Sequence, residues 1–142
     1  MRRYAIQEDG LANWPTAAGL GLVDNRDKRI RVQWCHGAPG IVATLGSLLD
    51  EDLALAGGEL TWLAGPLVNG AGLCHGTAGN GYAFLTLFAR TGDELWLMRA
   101  RAFAMHALEQ LLTDRYSLWT GCLGTALYLA DCIDGGGTLP IP

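Results

Sequence analysis

The amino-acid sequence predicts an all-α chain, a partial α/α toroid in which inner and outer helices alternate, and three observations carry that prediction. Glycine is over-represented, with 20 in 142 residues, about twice its average usage. Six of these glycines form G-x-x-G pairs, Gly37/Gly40, Gly76/Gly79 and Gly121/Gly124, which recur after 39 and then 45 residues, the range of helical-pair repeats. Each pair opens a run of about ten apolar or small residues, and the stretches between the runs are amphipathic.

The first run, CHGAPGIVATLGSLLDE from Cys35, and the second, CHGTAGNGYAFLTLFARTG from Cys74, are too long and too rich in alanine and leucine for strands. In the second, Tyr82, Phe84, Leu85, Leu87 and Phe88 are apolar around most of the helix, the mark of an element buried on nearly all sides. The third run, TGCLGTALYLADCID from Thr120, repeats the form. Between them, roughly Glu51–Ala64 (interrupted by Gly57–Gly58) and roughly Glu94–Leu112 read as outer helices. In the latter, Leu95, Met98, Ala102, Met105 and Leu108 share one face, with Arg99, Arg101 and Glu109 on others. No β-rich window competes, although Arg29–Val32–Trp34 reads as a short extended strand. The glycine pairs fall at the inner-helix N-termini, where they let backbones crowd together and leave helix N–H groups facing a ligand.

Half of the residues are apolar and the formal charge is −4, enough for a core without disulfides and mildly against polyanionic partners. The basic run Arg26–Lys28–Arg29–Arg31 faces Asp24 and Asp27 and reads as a solvated turn, so no nucleic acid is expected. The opening MRRYAIQEDG has no apolar segment behind its arginines, and no stretch approaches the roughly 20 apolar residues of a membrane span. These features predict a cytoplasmic protein in which Cys35, Cys74, Cys122 and Cys132 are thiols or ligands.

Two inner helices begin with Cys-His pairs, Cys35–His36 and Cys74–His75. Adjacent repeats place these N-termini side by side, so residues 39 apart in sequence can meet in space. Thiolate and imidazole are the donors zinc prefers, and a helix N-terminus favours the thiolate. Spacing alone leaves two readings open, small core cysteines with satisfied histidines or a metal site.

WCHGAPG at 34–40, GLCHGTAGNGYAFL at 72–85 and YSLWTGCLGTALYLAD at 116–131, with ANWP at 12–15 and ELTWLAGPLV at 59–68, resemble the C-terminal half of the lanthionine synthetase C-like family. The resemblance implies an α/α barrel of seven helical pairs, of which residues 1–134 would supply about two and a half, with 135–142 as a flexible tail. Upstream barrel repeats or self-association would complete the ring. It also implies a Zn²⁺ site made by Cys35, Cys74 and His75, with the fourth position open to a thiol.

The implied chemistry is addition of that thiol to a dehydroamino acid, forming a thioether in a dehydrated peptide substrate. In the eukaryotic-like members, which WCHGAPG resembles most, glutathione is the thiol. A truncated, non-catalytic zinc-binding module is the remaining reading. His36 is the candidate catalytic residue, as general acid, as hydrogen-bond partner of a ligand, or merely packed. Asn69 stands where the family has a glutathione-contacting lysine, and Arg115 is out of register for the corresponding arginine, so neither role carries over. Cys122, Cys132 and His106 read as non-ligands. Trp34, Trp62, Trp96 and Trp119 read as packing residues, and Asn80 as a helix-start or substrate-bonding residue.

Overall fold

The computed structural model describes residues 1–15, 31–111 and 115–140. A short antiparallel hairpin, β1 (Ile6–Glu8) and β2 (Leu11–Asn13), precedes five helices: α1 (Ala38–Leu45), α2 (Glu51–Ala64), α3 (Thr77–Thr91), α4 (Glu94–Glu109) and α5 (Cys122–Asp134). The described chain is thus mostly helical, as expected of part of an α/α toroid. α3 lies at the centre, packed on α1, α2, α4 and α5, and its residues Thr77–Leu85 are all buried. The inner helices α1, α3 and α5 follow the three glycine pairs, and α2 and α4 are the outer partners.

The glycine pairs have one physical cause, repeated three times. A Cβ on the first glycine of each pair would collide with the carbonyl six residues upstream, at Arg31 for Gly37, Gly70 for Gly76 and Arg115 for Gly121. A Cβ on the second would strike the carbonyl of Trp34, Leu73 or Leu118 in the same way. Each inner helix therefore rises out of a loop folded tightly beneath its first turn. Successive loops are joined by backbone hydrogen bonds, from Cys35 N–H to Cys74 C=O (3.1 Å) and from Cys74 N–H to Trp119 C=O (2.8 Å).

Four expectations need correction. The hairpin was not anticipated, although Asp9 and Gly10, both at positive φ, form the Asp-Gly connection that two-residue hairpin turns favour. The described part of the expected strand, 31–34, is not one: Gln33 instead makes an isolated bridge to His36 across a tight turn. The remainder of that stretch and the basic residues 26–29 lie outside the described residues.

The third correction concerns α4. Its Leu95, Met98, Ala102, Met105 and Leu108 face outward, and the buried side carries Trp96, Leu97, Ala100, Phe103, Ala104 and Ala107. Two aromatic rings bury more apolar area than the methionine stripe would. The Arg99 that argued against this face is accommodated: it pairs with Glu59 at 2.6 Å and lies over the rings of Trp62 and Trp96. Among the described residues no helix is long and apolar enough to cross a membrane.

Gly57–Gly58 does not interrupt α2, which runs continuously past both. Gly58 instead lets α2 approach Leu87 of α3 and Trp96 of α4, whose atoms an added Cβ would strike. Gly58→Ala is therefore expected to destabilise the chain by about 1–2 kcal/mol, overpacking outweighing the gain in helix propensity. Chemical denaturation of the two proteins checks it.

Candidate metal centre

Cys35 sits at the tip of the Gln33–His36 turn, which is closed by Gln33 N–H to His36 C=O (2.9 Å) and His36 N–H to Gln33 C=O (3.0 Å). Cys74 and His75 occupy the corresponding turn before α3. The inter-loop hydrogen bond from Cys35 to Cys74 brings the two turns together. As a result the ligand atoms of Cys35, Cys74 and His75 all lie within 4.8 Å of one another. That is close to the roughly 3.5–4 Å between neighbouring ligands of a tetrahedral zinc. Both thiols are half-buried and His75 is exposed, so the cluster opens to solvent on the imidazole side.

The electrostatics of the cluster suit a cation. Burial pushes the Cys35 thiol up, and the neighbouring Cys74 pushes it further, because two thiolates in contact repel. A divalent ion between them removes that repulsion and replaces the protons. Two soft sulfurs and one imidazole form the donor set of a zinc site with one position left for another ligand, so the residues present fit that metal.

His36 lies outside this cluster. Its Nδ1 is 3.1 Å from Cys35 Sγ, and its ring helps line a largely apolar cleft with Trp14, Pro15, Trp34 and Ile41. A second, more polar cleft adjoins the cluster on the other side, lined by Asn69, His75, Gln110, Arg115, Thr120 and Cys122. The cluster thus stands between an aromatic-walled cleft and a polar one.

The other singled-out residues separate cleanly. Cys132 is buried in the core, its thiol pushed up to about 11 by that burial. His106 is on α4 beside Glu109, with no part in the cluster. Trp34, beside Cys35, and Trp119, in the loop before α5, pack together with ring centroids 4.8 Å apart. Asn80 is fully buried and donates from Nδ2 to Val32 C=O at 2.9 Å, which is neither a helix cap nor an exposed substrate contact. Arg115, set aside on register, nevertheless lines the cleft that contains His75. Counting from the family motif did not reveal this, although the repeat does: Arg115 stands six residues before Gly121 as Gly70, another residue of that cleft, stands before Gly76.

Known proteins resemble this chain over most of its length. The family model for lanthionine synthetase C-like protein matches residues 1–140. Glutathione S-transferase LANCL1 of Danio rerio is 39% identical over 124 residues, covering 78% of this chain and 30% of that protein. LanC-like protein GCL1 of Arabidopsis thaliana is 36% identical over 139 residues, covering 85% of this chain and 30% of that protein. The chain therefore spans about a third of the length of the curated relatives it matches.

Proposed function

The chain belongs to the lanthionine synthetase C-like family, and from that premise we propose that it carries the zinc centre of an enzyme adding a thiol to dehydroamino acids. Cys35, Cys74 and His75 would hold the Zn²⁺. The observation that carries the reading is the convergence of these three donors within 4.8 Å from two loops of successive repeats. When bound, zinc lowers the pKa of a coordinated thiol and leaves it nucleophilic near neutral pH.

The chain's own residues account for the rest of the reaction. The sulfur forms a bond to the β-carbon of a dehydroalanine or dehydrobutyrine, the C=C π pair moves to the α-carbon, and that carbon takes a proton. His36 would supply it: its Nδ1 is engaged with Cys35 Sγ, which leaves Nε2 as the atom for proton delivery from the wall of the aromatic cleft. Trp14, Trp34 and Ile41 line the same cleft and would shield the acceptor. In the polar cleft, Arg115 would offer a charge to the carboxylates of a thiol donor.

Glutathione is the thiol this reading favours, supported by the name of the Danio rerio relative. A cysteine of the dehydrated peptide itself is the second candidate. It is supported by Asn69 in the polar cleft, where a glutathione contact would gain from a cation.

Mass-spectrometric assay of glutathione addition to a dehydroalanine peptide tests the proposal. His36→Ala is expected to lower the rate by about 10²–10⁴-fold while zinc content stays at the wild-type level. An unchanged rate in His36→Ala removes the histidine from the reaction. A zinc-loaded wild-type chain with no addition to any dehydrated peptide leaves only the non-catalytic module.

A further inference from the structure

The loop that carries Cys35 is gripped from two sides by buried amides. From one side Asn13, at the end of β2 and 3% exposed, donates from Nδ2 to Arg31 C=O at 3.2 Å. Its Oδ1 accepts from the backbone N–H of Ala38 (2.7 Å) and of Trp14 (2.9 Å). Asn13 therefore spans the loop, holding the carbonyl at its start and the first N–H of α1 at its end. From the other side Asn80, 0% exposed in the first turn of α3, donates from Nδ2 to Val32 C=O at 2.9 Å. Its Oδ1 has no partner among the described residues, so its hydrogen bonding there is directed wholly at the Cys35 loop.

The repeat supplies an internal comparison. Asn80 directly follows the second glycine of its pair, and Thr125 does the same in the next repeat. Thr125 Oγ1 donates to Ala71 C=O at 3.1 Å. Ala71 and Val32 correspond, each five residues before the first glycine of its pair. An inner helix thus reaches back to the preceding loop in both places. The first of these contacts joins the loop of Cys35 to the helix that follows Cys74 and His75. The second joins the loop of Cys74 and His75 to α5, a helix that carries no ligand.

We infer that Asn13 and Asn80 are positioning residues of the metal centre, fixing the Cys35 loop so that its sulfur meets Cys74 and His75. The inference rests on the zinc reading proposed above. Ligand geometry tolerates little drift, and a loop carbonyl deprived of its buried donor loses a bond that fixes the backbone bearing it.

The test uses the full chain, with zinc affinity measured by chelator competition and the thiolate-to-metal absorption band recorded after cobalt substitution. Asn80→Ala is expected to keep its helical circular dichroism, to lose affinity by about 10- to 100-fold, and to show a weakened cobalt–thiolate band as Cys35 disengages. Asn80→Thr, which restores a donor of the kind used at position 125, is expected to return affinity to within about threefold of wild type. Asn13→Asp keeps the acceptor for Ala38 and removes the donor to Arg31, and is expected to weaken the band as well; it decides the matter if Asn80→Ala does not fold.

Thr61→Ala is the control, since it deletes a buried hydroxyl hydrogen bond within α2, away from the ligand loops, and should leave the band unchanged whatever it does to the melting temperature. Wild-type affinity and band in both Asn80→Ala and Asn13→Asp overturn the inference, as does a Thr61→Ala chain that loses affinity equally. A wild-type chain that binds no zinc overturns the zinc reading itself, a result distinct from these.

Discussion

Cys74→Ala is expected to leave the purified chain with less than about a tenth of the zinc carried by wild type, the largest effect of any single substitution. Cys74 contributes one of two sulfurs, and its backbone carbonyl also receives the N–H of Cys35. An alanine keeps that backbone bond, so the loops remain together while the donor set falls to one thiolate and one imidazole. A site of two protein ligands competes poorly with water. The loss should therefore appear in elemental analysis after extensive dialysis, with the helical signal unchanged. Cys122→Ala, removing a thiol that lines the neighbouring cleft but lies outside the cluster, should retain full zinc.

Equal metal in wild type and Cys74→Ala would refute the assignment. The pH dependence has a definite sign. Cys35 is held above its ordinary value in the metal-free chain, so protons compete with the ion and zinc affinity falls as pH is lowered.

Much of this site was legible in the sequence because its causes are local and repeated. The glycine pairs had to be glycine for steric reasons that recur at Trp34, Leu73 and Leu118, so their spacing carried the register of the repeat. That register placed the two Cys-His pairs in adjacent loops. The positioning amides were less legible. Asn80 follows a glycine as any helix-start residue does, and only the fold reveals that its side chain points back to Val32 rather than forward to its own helix. Arg115 shows a different limit: it matches Gly70 within the repeat, and both line the cleft with His75, where counting from the family motif did not put it.

The face of α4 was misjudged for a third reason, since the stripe from Leu95 to Met105 has correct helical spacing and yet points to solvent. Apolar periodicity assigns a face by residue type, whereas burial follows the area and shape of what packs. Arginine is counted as polar although its stem and planar head can stack on indole rings.

The corrected face makes a prediction with a large contrast. Phe103→Ala is expected to destabilise the chain by about 3–5 kcal/mol, a large part of the roughly 5–15 kcal/mol that holds a domain together. Met105→Ala, two residues away on the same helix, should stay within about 0.5 kcal/mol of wild type. Phe103 is fully buried, meets Phe84 edge-on with ring centroids 4.9 Å apart, and lies 6.0 Å from Trp62. It thereby joins α4 to both α3 and α2. Truncation leaves a void bounded by rings that cannot collapse into it, because Trp62 is held over Arg99 and Phe84 is stacked on Trp96. Met105 is 62% exposed and leaves no void. Urea denaturation of the two variants decides between the faces: if Met105→Ala proves the more damaging, the helix is rotated from the orientation described, and Arg99 cannot lie between Trp62 and Trp96.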